Sequence, residues 1–371
     1  MRVSIDCTPL LIRSAGVKTY LYHWTQALRR YAGRDAIELF PYLDSLGALN
    51  HEGTLIGSGG TMARILLVYF ANIRRNPILD LLSSDIDVFH ATNQVRNPPR
   101  QKKLTTTIHD LTCWIMPEMH RPATVAGDKL FAERILRRCD GIIAVSENSR
   151  RDAIERLGLS PDKIEVIYHG VSEAFFDTRP EQVEAAKRKY ALAKPYLLFV
   201  GTVEPRKNLD ALLDAYEGLS EELRGEFSLV IAGSIGWAKT STVARLRSPE
   251  SSARYLGYLP EEDLPLLTAG AAACVYPSLY EGFGLPVAQS LAAGIPVVTS
   301  NVSSLPEIAG DAAVLVDPRS VEEIRSGIEK VLLSSTLREQ LSAAARARGA
   351  LFRWDEAARK SWQFFEKVCG E

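Results

Sequence analysis

Three clusters of residues in this 371-residue chain have types and spacings suited to chemistry. The first is Gly201-Thr202-Val203-Glu204-Pro205-Arg206-Lys207-Asn208, directly after the apolar run Tyr196 to Val200. Arg206 and Lys207 set a planar guanidinium fork beside a compact ammonium, a pair able to neutralise a diphosphate. A solvated Arg-Lys pair near a helix start is the alternative, but cations are electrostatically unfavourable there, which favours an anionic ligand. The second cluster is Tyr280-Glu281-Gly282-Phe283-Gly284-Leu285-Pro286-Val287-Ala288-Gln289. Its glycines let the backbone approach a ligand closely. Pro286 predicts the first residue of a helix with Val287 and Leu291 on its apolar face, stopped by Gly294 and Pro296. The free N–H groups and positive dipole end of such a helix favour a phosphate. Glu281 then lies just outside the helix and Gln289 in its early turns. An isolated G-x-G is more often a plain strand-to-helix turn, and only the neighbouring cations change that reading. The third cluster is His109-Asp110, directly after Leu104 to Ile108, a position that equally suits a helix cap.

The elements that must hold these residues follow from periodicity. Strands are expected at Val3 to Asp6, Ile37 to Tyr42, Val88 to His90, Leu104 to Ile108, Gly141 to Val145 and Ile164 to Ile167. A second series is expected at Tyr196 to Val200, Ser228 to Ala232, Arg254 to Leu256, Ala272 to Tyr276, Val297 to Thr299 and Ala313 to Val316. After Gly16, the positions Val17, Tyr20, Leu21, Trp24, Leu28 and Tyr31 fall on one helical face. Strands alternating with helices imply parallel sheets covered on both faces, with ligands beyond the carboxyl ends of the strands. The fold class is therefore α/β, with two doubly wound Rossmann-like domains. The expected division is 1–172 for the N-terminal domain, 173–195 for a polar linker, 196–352 for the C-terminal domain and 353–371 for a last helix. That helix carries Trp354, Ala358, Trp362, Phe365 and Cys369 on a face too apolar for water, so it docks, with the first domain as the candidate surface. Gly57-Ser58-Gly59-Gly60 looks like a dinucleotide fingerprint but lacks the third glycine and a strand leading into it, and is discounted.

Composition sets the outer limits. With 46% hydrophobic and 24% charged residues the chain is globular, and at this length two cores are more natural than one. A formal net charge of −1 leaves no global field for nucleic acid, so any anion site must be local. Cys7, Cys113, Cys139, Cys274 and Cys369 are scattered without C-x-x-C spacing, which argues against a zinc site or a disulfide framework and suits a reducing cytoplasm. No apolar stretch approaches the roughly 20 residues needed to span a bilayer.

Taken together, Glu281 to Pro286, Val200 to Asn208, Ile108-His109-Asp110-Leu111, Ala144 to Ser149 and Val166 to Val171 resemble the retaining glycosyltransferases of family four, also described as glycosyl transferases group 1. The resemblance runs through nearly the whole chain. It implies the GT-B fold, two Rossmann-like domains facing a central cleft. A nucleotide-sugar donor would be held mainly by the C-terminal domain, an acceptor by the N-terminal one, with no required metal and no cofactor beyond the nucleotide-sugar co-substrate. Carried over by position, Arg206 and Lys207 match the diphosphate-binding pair, and Glu281 the first acidic residue of an E-x7-E pattern, which touches the donor sugar. Phe283, Gly284 and Leu285 supply amides, and Thr202 and Tyr258 are further nucleotide-sugar contacts. His109 matches the residue beside the reacting face of the donor sugar, and Gly16 the loop approaching the diphosphate.

Two departures stand out. The second acidic position of E-x7-E is Gln289, which weakens the usual ribose contact, and Ala15-Gly16 replaces a pair of glycines. The motifs look most like mannosyltransferases of bacterial surface polysaccharide synthesis, so GDP-mannose is the favoured donor, with UDP-hexoses and dTDP-rhamnose as alternatives. The acceptor is expected to be a glycan or a lipid-linked glycan. Ile65 to Phe70, followed by Arg74 and Arg75, and the cluster Arg96, Arg100, Lys102 and Lys103 make peripheral contact with the inner face of the cell membrane a candidate property. The competing functions are a GT-B nucleotide-sugar epimerase and a nucleotide-sugar-binding pseudoenzyme.

Overall fold

The computed structural model describes residues 1–13, 16–43, 45–50, 53–73 and 77–370. Its contacts divide the chain into two units, Met1–Gly170 with Trp354–Glu371, and Val171–Arg353.

The first unit is built on six parallel strands: β1 (Val3–Asp6), β2 (Ile37–Phe40), β3 (Val88–Ala91), β4 (Lys103–Ile108), β5 (Gly141–Ala144) and β6 (Ile164–Val166), in the order β2-β1-β3-β4-β5-β6. β1, β3 and β5 are buried along their whole length, as strands covered by helices on both faces must be. The helix Gly16–Ala32 buries Tyr20, Leu21, Trp24, Ala27 and Leu28. Tyr31, expected on the same face, is instead 51% exposed because the helix reaches its last turn there.

The closing helix Trp354–Cys369 lies against Gly16–Ala32 and completes this core, with the Trp24 indole N–H donating to Ser361 Oγ at 2.9 Å. Its buried face is Trp354, Ala357, Ala358, Ser361, Phe364 and Phe365, while Trp362 and Cys369 sit at the margin. The approach is close enough to exclude side chains. A Cβ on Gly170 would lie 2.4 Å from the Trp354 ring, and one on Gly141 2.6 Å from Val368.

The second unit repeats the architecture with β7 (Tyr196–Val200), β8 (Ser228–Ala232), β9 (Ala253–Gly257), β10 (Ala273–Tyr276), β11 (Val297–Ser300) and β12 (Ala313–Val316), in the order β12-β11-β10-β7-β8-β9. The strand order reverses between β7 and β10, and loops leaving those two strands diverge to open a crevice at their carboxyl ends. The stretch 173–195, expected as a linker, packs into this unit. Its helix Pro180–Lys189 buries Ala186 against Asp263–Ala269, and Asp263 accepts from Lys189 Nζ at 2.6 Å and Tyr190 Oη at 2.7 Å. A segment with many charges thus folds because one carboxylate gathers two of its donors.

Among the described residues no helix is long and apolar enough to cross a membrane, no group of three His, Cys, Asp or Glu side chains could hold a metal ion, and the five cysteines are free thiols.

Candidate functional site

The densest charged constellation stands at the β7/β10 reversal. After β7, a single 3-10 turn, Pro205–Lys207, is ended by Asn208 in the left-handed region. The Asn208 amide donates to the carbonyls of Pro277 at 3.1 Å and Pro318 at 2.6 Å, pinning the turn to the loop that follows β10. Arg206 and Lys207 are thereby delivered to Glu281. Arg206 Nη1 lies 2.9 Å from Glu281 Oε2, Lys207 Nζ lies 2.6 Å from Oε1, and Arg206 Nη2 lies 2.7 Å from Glu204. Ser278 Oγ and Tyr276 Oη also donate to Glu281 Oε1, at 2.7 and 3.0 Å.

Two cations and two carboxylates are therefore paired in a nearly water-free pocket. Burial alone would raise the Glu281 carboxyl, but Arg206 and then Lys207 outweigh it and hold the group at about 2. Burial and the neighbouring Arg206 push the Lys207 ammonium below its ordinary range, against the pull of Glu281 and Glu204.

The glycine loop turns into the helix Leu285–Ala292, which begins one residue before Pro286, so the proline occupies the second helical position. Gly284 has φ 98°, a left-handed conformation, and a Cβ there would also strike Leu305 at 2.7 Å. Val287 and Ala288 both donate back to the Gly284 carbonyl, whereas the N–H groups of Gly284 and Leu285 find no acceptor among the described residues. These are the free donors of a helix start. The Phe283 side chain turns away into a buried edge contact with Phe352, leaving its backbone as the part near the crevice. Gln289 is half-buried on the same helical face as Leu285. Thr202 stands one residue beyond β7, and Tyr258, 39% exposed, directly follows β9, along the same edge of the sheet.

His109 and Gly16 belong to the first unit. Gly16 opens the helix Gly16–Ala32 with open space around it, and its neighbours Ser14 and Ala15 lie outside the described residues. His109 directly follows β4, its ring packed edge-on against Tyr20 at 4.8 Å and near His169 at 5.5 Å. Asp110 is a local cap, accepting from the Thr112 N–H at 3.0 Å and hydroxyl at 2.6 Å. Beneath them His90 is held between Thr105 and Thr107 at 3.0 and 3.1 Å.

Burial lowers His109 to about 4 and His90 to about 3, and drives His169 well below its ordinary value. Unfolded histidines titrate near 6.5, so below that pH the unfolded chain takes up protons that the folded unit refuses. The histidines' contribution to the stability of the first unit is expected to be fully present above pH 6.5 and to be lost progressively down to about 3. Glu281 acts with the same sign in a lower window, its contribution present above the ordinary carboxyl range and lost as pH falls toward 2. Thermal unfolding measured from pH 7.5 to 4.5 should show a falling midpoint, and His90→Gln should flatten that slope.

Sequence reasoning singled out the cations, Glu281 and the loop, and missed the partners that neutralise them. Glu204 stood in the same motif two residues before Arg206, and could have been found as its ion-pair partner. Tyr276 and Ser278 carried no signal beyond ending a strand.

Comparison with known proteins follows the same division. The family profile described as Glycosyltransferase Family 4 matches residues 15–175, and the profile described as Glycosyl transferases group 1 matches residues 182–348. O-antigen chain mannosyltransferase B of Escherichia coli is 35% identical over 277 residues, covering 74% of this chain and 72% of that one. Sucrose-phosphate synthase from Thermosynechococcus elongatus superposes with a TM-score of 0.74 at 18% identity over 99% of both chains. Anabaena Alr3699/HepE, solved in complex with UDP-glucose, superposes with a TM-score of 0.71 at 17% identity, covering 100% of this chain and 99% of that one. Two six-stranded parallel sheets of this order, with these structural relatives, define a GT-B glycosyltransferase fold. The chain belongs to glycosyltransferase family 4, the glycosyl transferases group 1.

Proposed function

We propose that the protein is a retaining hexosyltransferase that moves mannose from GDP-mannose to a glycan or lipid-linked glycan in the synthesis of a bacterial surface polysaccharide. The observation that carries this reading is the buried Arg206-Lys207-Glu281 network at the β7/β10 reversal, beside the free Gly284 and Leu285 amides. Cations and amides there match a diphosphate, and a carboxylate among them matches sugar hydroxyls. Similarity to O-antigen chain mannosyltransferase B of Escherichia coli favours mannose.

In this reading the leaving diphosphate takes the proton of the attacking acceptor hydroxyl on the same face of the sugar, giving retention through a short-lived oxocarbenium-like species. Arg206, Lys207 and the helix start stabilise the charge that grows on the diphosphate, the kind of contribution that often dominates catalysis. The same cations do the work otherwise given to a metal ion, so no resident metal is needed. His109 orients the donor sugar or stabilises positive charge through its backbone carbonyl.

Incubation with GDP-mannose, UDP-glucose and dTDP-rhamnose, with and without EDTA, tests the reading. Acceptor-dependent release of GDP that survives EDTA is expected. Acceptor-independent isomerisation would make the protein an epimerase, and binding without turnover a pseudoenzyme.

The reading extends to the inner face of the cell membrane. The helix Ser58–Ala71 buries Val68 and Ala71, yet exposes Met62, Leu66, Tyr69 and Phe70, spaced along one stripe that Ile73 continues. Arg96 and Arg100 are exposed cations of the same unit, while Arg74 and Arg75 lie outside the described residues. An apolar stripe with cations suits an anionic bilayer. Flotation should recover the protein with anionic vesicles, and Leu66→Asp with Tyr69→Asp should abolish recovery. Equal recovery with neutral vesicles would reject the electrostatic part.

A further inference from the structure

The second unit carries another cationic pocket at the opposite edge of its sheet, away from every residue assigned above. It lies at the amino ends of β8 and β9, where the last turns of the helices Leu209–Glu217, Glu221–Glu226 and Thr240–Arg247 meet the turn 248–252. The pocket is open, about 430 Å³ in volume, and its lining includes Arg224, Arg254, Ser228, Ser248 and Ser251 but no carboxylate. The length of β8, about 13 Å at roughly 3.3 Å per residue, separates Ser228 from the crevice edge, so an anion here is not the diphosphate proposed at Arg206. We propose that this pocket binds a phosphate monoester, a site that stands apart from the glycosyl-transfer reading.

The polar atoms are arranged for an anion. Arg224 Nε donates to the Leu219 carbonyl at 3.1 Å, and Arg254 Nη1 donates to the Ala191 carbonyl at 2.9 Å. These bonds anchor both side chains, yet the two terminal nitrogens of Arg224 and Nη2 of Arg254 have no acceptor among the described residues. The Ser248 and Ser251 hydroxyl oxygens accept from the backbone N–H groups of Glu250 and Ala253, at 3.2 and 3.3 Å. Their hydrogens are left to donate, and the Ser228 hydroxyl has no partner among the described residues. Anchored guanidinium groups with hydroxyl donors between them complement phosphate oxygens and repel a cation.

Two local features oppose an anion, and the structure answers both. Helix carboxyl ends direct partial negative charge toward this edge of the sheet, but Arg224 already covers the carbonyl that follows the first of these helices. Glu217 stands near Arg224, but its carboxylate is engaged by Arg245 Nη2 at 2.6 Å and by the Ser252 hydroxyl at 2.7 Å. The charge of Arg224 is thus left for a ligand, on a side chain whose ordering cost the fold has already met. The volume exceeds that of a bare phosphate and falls within the roughly 300–1,000 Å³ of small-molecule sites, which leaves space for an organic group beside Tyr216 and Leu246.

Titration calorimetry on the full chain with mannose 1-phosphate, glycerol 3-phosphate and inorganic phosphate tests this. At least one of the two monoesters is expected to bind, more tightly than inorganic phosphate, and methyl α-mannopyranoside should not displace it. Arg224→Ala and Arg254→Ala should each weaken that monoester at least tenfold, while Lys207→Ala, at the other edge of the sheet, should change its affinity less than twofold. Arg254 is exposed, so its variant keeps the fold if Arg224→Ala does not. Failure of both monoesters to bind, or an affinity within twofold of wild type in Arg254→Ala, would overturn the proposal. A tenfold loss in Lys207→Ala would also overturn it, by moving the bound monoester to the crevice, and inorganic phosphate binding as tightly as either ester would overturn the monoester assignment.

Discussion

Lys207→Ala is expected to weaken nucleoside diphosphate binding by roughly tenfold to a hundredfold, the equivalent of one lost charge-assisted contact of about 1.5–3 kcal/mol. Turnover should fall further, because in the proposed mechanism the same ammonium faces the charge that builds on the leaving group. The expected stability loss is smaller than for a buried charge left alone, since Glu281 keeps Arg206 at 2.9 Å and the hydroxyls of Ser278 and Tyr276. Glu281→Gln is expected to move binding in the opposite direction. Glu281 pairs with both cations, so neutralising it should leave them available to the proposed diphosphate while removing the carboxylate from the sugar. Titration calorimetry with GDP and steady-state kinetics on both variants check this. Unchanged affinity and turnover in Lys207→Ala would reject the diphosphate clamp.

Phe365→Ala is expected to destabilise the first unit by about 3–5 kcal/mol, the usual range for truncating a buried aromatic side chain. Phe365 is fully buried, its ring 6.2 Å from Trp24 and 5.8 Å from His90, at the seam where the last helix meets the first. The second unit has its own core, so GDP binding should survive at temperatures where the variant's first unit has melted. Calorimetry resolving two transitions, with only the one insensitive to GDP lowered, is the expected result. A uniform loss across both transitions would show that the two cores unfold as one.

The twelve strands were legible because the central ones, covered on both faces, are mostly short apolar runs, and the chain punctuates the series with glycine and proline. The residues of the charged cluster were legible for a related reason, since charges and glycines at strand ends stand out against apolar surroundings. Its internal pairing was not. Nothing in the spacing of residues 204–207 and 276–281 says that Glu281 reaches across to both cations, because that depends on Asn208 pinning one loop to the other. Likewise 173–195 looked like a linker because its partner, Asp263, is more than 70 residues away. The helical stripes were right in place and slightly wrong in angle. Ala357, Ser361 and Phe364 share the buried face of the last helix because small side chains allow the close packing that Gly141 and Gly170 complete.

The discontinuity of the first unit sets an order of events during synthesis. Residues 1–170 emerge from the ribosome first, but the helix that covers Trp24 and Gly141 is encoded at 354–369. At about 5–20 residues per second, some 10–40 s pass before that helix is made. Through that interval the nascent first unit carries an open apolar groove, while the whole of the second unit can be made and folded. The later unit in the sequence is thus the earlier one to finish, and the uncovered groove is the natural place for a chaperone to hold the growing chain.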